Sequence, residues 1–474
     1  MKTIPRLAAA VMAIAVLFCG CAFLNDYEEE GELSLSGLKE PVTVLRDERG
    51  VAYVRASGLD DALMAQGFLS AQDRLFQMEL NRRFAAGRIS EFAGEKALGI
   101  DIRMRTIGIY RAAQKHALLL DAPTRAFFER YAAGVNAYIK ACKDTYPLEF
   151  KLAGITPELW SVADSLSILY LMAWNTSANI HTELAMQALA EAVGSEKARE
   201  LLPINVNPDA PGSAVAGTAV DLPEKPVFLG MAGNEGFTGS SALRMGSNNW
   251  VTGPAMSANG RPVVANDPHL DARILPGPWY PVGLVTPGFK AVGANIAGLP
   301  GITVGRTGHL AFGSTNAYGD MQDLYVETVD PDNPENYLEG EDSIPFSIIE
   351  EKIRYKDEEA DGGYGLKTLQ VRKTRRGPVV SDIFEHLKTD KVLTLRFAPF
   401  ETMHSRVGFD RFLTAASVSE AIEALREINM ISLNLVCADT SGDFAWWVTG
   451  TLSERAAGGT FPYPVTGKED NWRG

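Results

Sequence analysis

No regular helix can persist between positions 203 and 245. Prolines at 203, 208, 211, 223 and 226 and glycines at 212, 217, 230, 233, 236 and 239 remove amide donors and widen the backbone's freedom. The stretch divides the chain into halves of different character. Before it, apolar residues recur at helical spacing; after it come short β-like runs broken by turns. A helix-rich half followed by a strand-rich half predicts an α+β fold.

In the first half, Leu63, Phe68, Leu69, Leu75, Phe76 and Met78 predict a long helix over 60–92. Asp73, Arg74, Arg82, Arg83 and Arg88 interrupt its apolar pattern, and ion pairing between helices is the expected use of such charges. Further helices are predicted over 124–143, with Tyr131, Val135 and Tyr138 on one face, and over 161–189. Ahead of them, β-branched runs around Asp47-Glu-Arg-Gly50 predict a hairpin.

In the second half, strands are predicted over 249–252 and 262–265, joined through Asn259-Gly260, a strong local hairpin signal. Further runs at 302–304, 310–313, 324–329, 369–373, 392–397, 433–438 and 444–449 continue the pattern. Ser247 therefore sits where the Pro/Gly-rich segment feeds the first strand of a sheet. If the Gly246–Ser247 bond were cut, Ser247 would carry a hydroxyl and a free α-amine on one residue, a nucleophile with its own base. A Gly-Ser pair before a strand is also an ordinary structural feature, so the pair alone does not decide.

The 474 residues are 46% hydrophobic, enough to bury a large core in one domain or two closely packed ones. A net charge of −14 argues against nucleic acid or an anionic membrane surface as a direct partner. Residues 1–21 read as an export signal, with Lys2 and Arg6 before an apolar run over 7–18 that is short for a bilayer span. The run ends in Phe18-Cys19-Gly20-Cys21, which looks like a bacterial lipoprotein signal with Cys21 as the lipidated residue; an ordinary cleaved signal is the alternative. The expected location is the periplasm or a lipid-anchored position on a bacterial membrane. Beyond position 21 only Cys142 and Cys437 remain, too few for a disulfide framework or a zinc site.

Several motifs recur in order: Gln72-Asp-Arg-Leu-Phe-Gln-Met-Glu-Leu-Asn-Arg-Arg, Gly246-Ser247-Asn-Asn-Trp-Val, Ala265-Asn-Asp-Pro-His269, Gly313-Ser-Thr-Asn316-Ala, Gly319-Asp320-Met-Gln322-Asp323 and Ser432-Leu-Asn434. Together they resemble the penicillin acylase family of N-terminal-nucleophile (Ntn) hydrolases, whose precursors cut themselves before the equivalent serine. The resemblance implies an αββα sandwich of two antiparallel sheets between helical layers, with a helical α-chain over 22–205, a spacer over 206–246 and a β-chain from 247 to 474. It runs from about position 38 to the end, and because family β-chains continue further it implies a C-terminally truncated chain with an incomplete fold.

The resemblance also assigns roles. Ser247 is the nucleophile, and His269 lies beside it, holding the α-amine and pocket in place. A main-chain N–H in the Asn316 motif and the side chain of Asn434 supply the oxyanion hole. Asp320 and Asp323, three apart with a carbonyl between them, suit a hard cation, although such a pair is also a common solvated turn. Family members with this pattern bind a structural calcium, with Gln322 in the motif and Glu183 from the α-chain as the further ligand. The acyl pocket would take Met172, Trp174, Thr176, Leu270, Thr303 and Val304, apolar or small residues that suit an apolar acyl chain or an aromatic acid.

The implied activity is an exported amidohydrolase acting on linear amides of N-acylated small molecules. It would work as a processed heterodimer of its own chains, without an organic cofactor and touching a membrane only through the lipid anchor. A non-catalytic binding protein that keeps the fold remains open, as does, more weakly, a serine esterase. A Ser-His-Asp triad lacks its Gly-x-Ser-x-Gly elbow here.

Overall fold

Two helices cross with their backbones touching. Helix α1 (Leu59–Ala86) and helix α2 (Ala122–Ala141) meet at Gly67 and Gly134. A Cβ on Gly67 would lie 2.0 Å from the Tyr131 carbonyl oxygen, and one on Gly134 1.8 Å from that of Met64. Only glycine permits that approach. The computed structural model that shows it describes residues 30–143, 145–177, 179–202, 218–220, 247–270, 274–383, 387–389, 392–456, 459–468 and 470–474.

Sequence signals explain the helix ends. Asp61 and Asp60 occupy the first turn of α1, and Gly87 closes it in the left-handed conformation at φ 62°, five residues before the expected end. At α2, the Asp121 carboxylate accepts the Thr124 N–H at 3.0 Å, an N-cap. The helix expected over 161–189 is two: α3 (Val162–Ser177) and α4 (Asn179–Val193). The hydroxyls of Thr176 and Ser177 both donate to the Ala173 carbonyl, at 3.2 and 2.8 Å, competing with main-chain amides where α3 stops. Of the charges that interrupt α1, Arg74 donates to the Gly277 carbonyl at 2.7 Å, Asp73 meets Arg46 at 2.9 Å, and the remaining arginines form ion pairs. Glu79 holds Arg82 and Arg83, Arg83 reaches Glu91 at 2.6 Å, and Arg88 joins Glu91 to Glu158.

The strands of the main sheet are β1 (Thr43–Arg46), β2 (Ala52–Arg55), then, after the hairpin β3 (Asn248–Thr252) and β4 (Val263–Asp267), β5 (Trp279–Thr286), β6 (Phe289–Ile296), β7 (Val304–Thr307) and β8 (Leu310–Asn316). Strand β9 (Gln322–Val329) leaves it to pair with β10 (Val392–Phe397) in a second sheet of five strands. Strands β11 (Leu433–Asp439) and β12 (Phe444–Val448) return to complete an eight-stranded sheet in the order β1-β2-β5-β6-β7-β8-β11-β12. Within this sheet only β2 and β5 run parallel.

One face of this sheet is covered by helices: Phe312 of β8 meets Phe412 edge to face at 4.9 Å, and the β11 side chains Leu435 and Cys437 are buried in the core. The opposite face carries the hairpin β3–β4. Asn249 donates to the carbonyls of Gly313 (3.2 Å) and Asn434 (2.8 Å), and Asn266 to that of Ser314 (3.0 Å). A Cβ at Gly313 would stand 2.5 Å from that of Asn266, so the glycine lets the hairpin settle on β8. Helix layer, sheet and hairpin stack in that order, an α+β arrangement that corresponds to the α–β–β part of the expected sandwich. One hydrophobic core runs through both halves, from Leu69 and Phe128 to Leu284 and Leu433.

Candidate active site

The register of the hairpin places the serine. Asn248 pairs with Asp267 at its open end, so the residues just outside, Ser247 and His269, come together. The His269 N–H donates to Ser247 Oγ at 2.9 Å. The imidazole turns back along its own strand, with Nδ1 3.0 Å from the Asp267 carbonyl oxygen and 3.7 Å from its carboxylate. Histidine and serine are thus neighbours, as expected, but through the main chain. Gly246 and Cys21 lie outside the described residues.

Ser247, His269 and Asn316 stand at the polar end of a cavity of about 260 Å³. Met172 and Thr176 of α3, with Leu270 and Thr303, line it as expected. Trp174 and Val304 do not. Two residues along a helix is roughly 200° of rotation, so Trp174 points away from the face of Met172 and Thr176. It packs edge to face on Phe397 at 5.6 Å instead. Val304 opens β7, paired with Ala294. The back of the cavity is built from residues that sequence reasoning passed over: Phe127 and Phe128 of α2, Trp279, Ile302 and Phe409. The adjacent Phe127-Phe128 pair, one turn before Tyr131, was the available signal.

Asn316 ends β8, and its side-chain oxygen accepts the Tyr318 N–H at 2.8 Å. Tyr318, also at the cavity, has φ 51°, a left-handed conformation that non-glycine residues seldom adopt. Asn434 does not line the cavity. Its amide nitrogen donates to Asn249 Oδ1 at 2.9 Å and Thr315 Oγ1 at 2.8 Å, and its oxygen accepts the Trp446 indole N–H. Both amide hydrogens are engaged, so in this arrangement the side chain fastens the hairpin to the sheet.

Further along, α4 and the start of β9 bring Glu183, Asp320 and Asp323 together, while Gln322, the strand neighbour of Asp323, turns its side chain to the other face. Glu183 Oε2 accepts the Leu324 N–H at 3.1 Å. Glu183 Oε1, Asp320 Oδ2 and Asp323 Oδ1 are buried without a hydrogen-bond partner, as are both polar atoms of the Gln322 amide. Gly459 leaves room beside them: a Cβ there would stand 2.8 Å from Asp320 Oδ2 and 3.2 Å from Asp323 Oδ1. Burial, then the neighbouring Asp323 and Asp320, holds the Glu183 carboxyl well above the usual carboxylate range. Burial likewise pushes Asp320 up to about 7, with Arg455 opposing and Asp323 reinforcing.

Among the described residues no trio of Asp, Glu, His or Cys converges as a closed metal cage. Arg455 enters the cluster, with Nε 2.7 Å from Asp323 Oδ2 and Nη2 3.1 Å from Asp320 Oδ1. The stranded oxygens weigh more than the spacing. Carboxylates can draw in around an ion, whereas so many buried unpaired polar atoms are costly to leave. The oxygen-rich, acidic donor set of Glu183, Asp320 and Asp323 fits a hard divalent ion.

The family model described as penicillin amidase matches residues 41–474. The acyl-homoserine lactone acylase QuiP of Pseudomonas aeruginosa is 32% identical across 100% of this chain and 58% of its own length. The penicillin acylase 2 proenzyme of Pseudomonas sp. (strain SE83) is also 32% identical, over 94% of this chain and 57% of that protein. A solved thermostable penicillin G acylase from Alcaligenes faecalis aligns over 48% of this chain and 39% of its own, at 21% identity and a TM-score of 0.41. The chain thus spans about 58% of the length of curated relatives it matches. With the family model covering all but the first 40 residues, the chain belongs to the penicillin amidase family.

Proposed function

We propose that the chain is an exported acylase, hydrolysing the amide bond of N-acylated small molecules with Ser247 as an N-terminal nucleophile. The observation that carries this reading is the position of Ser247 Oγ, held by the His269 amide at the polar end of an otherwise apolar cavity. In the precursor, Ser247 Oγ attacks the Gly246 carbonyl, the acyl group moves from nitrogen to oxygen, and water hydrolyses the ester. This frees the amine and a β-chain beginning at 247; a second hydrolytic cut after position 205 would then release 206–246 as spacer and leave an α-chain over 22–205. The two remain together as a heterodimer.

The freed α-amine, with a reference pKa of about 7.7–8.0, takes the hydroxyl proton directly or through one water as Oγ attacks the substrate carbonyl. The tetrahedral oxyanion is held by the main-chain N–H in the Asn316 motif and by Asn434, which must first release Thr315 or Asn249. Collapse expels the amine, which takes the proton, and leaves an acyl ester on Ser247 that water cleaves. Phe127, Phe128, Met172, Trp279 and Ile302 favour an apolar acyl chain or aromatic acid; β-lactam side chains and acyl-homoserine lactones are the two substrate classes in view. Glu183, Asp320 and Asp323 would hold a structural calcium that ties α4 to β9. Export follows residues 1–21, with Cys21 as a lipid anchor in the periplasm.

Ser247→Ala expressed with its signal tests the reading. It should stay one chain on a denaturing gel and hydrolyse neither phenylacetyl nor long-chain acyl amides. A Ser247→Ala protein cut before position 247, or active at the wild-type rate, would overturn it.

A further inference from the structure

The segment between β6 and β7 is a loop that runs through the interior. Residues 297–302 are all buried, and 299–303 line the cavity one after another. Loops ordinarily keep to the surface because their main-chain polar groups have no ladder to satisfy them. Here side chains take the place of the ladder. Ser165 of α3 donates to the Gly298 carbonyl at 2.6 Å, and the Gly298 N–H donates to Tyr131 Oη of α2 at 2.9 Å. Asn295, near the end of β6, donates to the carbonyls of Leu299 (2.6 Å) and Gly301 (2.9 Å) and accepts the Thr303 hydroxyl at 2.6 Å. Gln66 of α1 completes the set: its Nε2 donates to the Gly301 carbonyl at 2.7 Å, and its Oε1 accepts the Gly301 N–H at 2.9 Å.

We propose that Gln66 is a positioning residue for the cavity, setting which lengths of linear acyl chain it accepts. The inference rests on the acylase reading given above. Gln66 is 1% exposed and does not line the cavity, so it acts through Gly301. Both ends of its amide close on that one residue, as a bridge between strands would, and fix the main chain there. Gly301 has φ 83°, and a Cβ on it would stand 3.2 Å from the Phe127 ring and 3.1 Å from Leu413. Its backbone therefore lies against a ring at the back of the cavity, and its neighbours Pro300 and Ile302 are walls too. Without the clasp the Gly301 N–H loses its partner, and the wall is freed to shift. Ser247, His269 and Asn316 stand elsewhere, at the hairpin and on β8, so the loss falls on which acyl groups fit and not on the chemistry.

The probes are the straight-chain carboxylic acids from butyric to tetradecanoic, whose binding is measured by calorimetry, and their amides with one chromogenic amine, whose hydrolysis gives kcat and KM. Gln66→Met keeps an unbranched side chain without its hydrogen bonds. Wild type should bind and cleave best over a narrow range of lengths. Gln66→Met should flatten that profile, lowering the ratio between best and poorest chain at least about tenfold through KM, while kcat for the shortest amide stays within about threefold. Gln66→Glu should follow wild type at about pH 5.5, where the buried carboxyl is protonated and offers the same donor and acceptor, and follow the methionine variant at about pH 9. A Gln66→Met profile that keeps the wild-type ratio, or a fall in kcat equal at every length, would overturn the role of Gln66 while leaving the acylase reading standing. Acids bound with the expected profiles, but no amide cleaved by wild type, would sink the acylase reading and leave the role of Gln66 in place. Wild type that neither binds the acids nor cleaves the amides would overturn both. If Gln66→Met does not fold, the glutamate variant decides alone: a profile that flattens only at the higher pH supports the proposal, and one unchanged between the two contradicts it.

Discussion

His269 meets Ser247 through its main-chain amide, 2.9 Å from Oγ, while its ring faces Asp267. A hydrogen bond from the backbone survives loss of the side chain. A histidine acting as general base would contribute roughly 10²–10⁴-fold in rate. His269→Ala should instead keep processing and lower kcat by less than about tenfold, with the pH profile of kcat keeping its shape, because the base in this reading is the α-amine. A thousandfold loss in a steady-state assay would move the histidine ring into the chemistry.

Asn434 makes four hydrogen bonds to three partners across the hairpin and the sheet: Asn249 by side chain and again through its own carbonyl, Thr315 and Trp446. Asn434→Ala strands the Asn249 oxygen and the Thr315 hydroxyl at a half-buried site. The expected cost is about 1–3 kcal/mol, read as a lower denaturant midpoint at unchanged slope. A variant that is inactive yet as stable as wild type would show the residue to be purely catalytic.

Gly134→Ala places a methyl 1.8 Å from the Met64 carbonyl oxygen, main chain that cannot swing aside. A loss of about 3 kcal/mol or more is expected, or protein found only in inclusion bodies. Gly99→Ala is the control. That glycine is helical with nothing within 4 Å of its would-be Cβ, and the change should stabilise by about 0.5–1 kcal/mol. Thermal melts of the two variants should therefore move in opposite directions.

Burial pushes His116 below the usual histidine range, with Tyr170 Oη 2.9 Å from Nδ1 and the His404 carbonyl 2.8 Å from Nε2. The sign follows from linkage. Below about pH 6.5 the unfolded chain takes up a proton that the folded one refuses, so this group's contribution is full above that pH and is lost as pH falls towards the depressed folded value. Wild type should lose stability between pH 7.5 and 5.0, and His116→Asn should lose less, as measured by urea midpoints at the two pH values. An equal drop in both would assign the acid sensitivity to other groups.

Local chemistry made part of this legible. Asn259-Gly260 between two β-like runs announces the hairpin whose register sets Ser247 beside His269, and the spacing of Tyr131, Val135 and Tyr138 announces α2. What escaped depends on phase and distance. The resemblance puts Trp174 in the pocket with Met172 and Thr176, although helical rotation sends it to Phe397. Phe127 and Phe128 face a wall more than a hundred residues away, at Trp279 and Ile302, and no periodicity within α2 reports that. The division of 161–189 into α3 and α4 turned on hydroxyls at 176 and 177 whose partner is a carbonyl, invisible until the helix exists. Arg455 escaped because nothing in its own neighbourhood tells that it will lie among acids over a hundred residues upstream.

The crossing of α1 and α2 bears on how such a pocket can change. Phe127 and Phe128 are carried to the cavity on a helix whose position is set by backbone against backbone at Gly67 and Gly134, where no side chain exists to be enlarged or trimmed. That wall is a fixed datum. A lineage adapting to shorter or longer acyl groups can recut the movable sides, at Met172, Leu270 or Ile302, or swap the rings themselves. It cannot slide the helix that bears them by small steps, because the first step is a clash. Variation among descendants of this chain should therefore be discontinuous at the back of the pocket and gradual around its mouth.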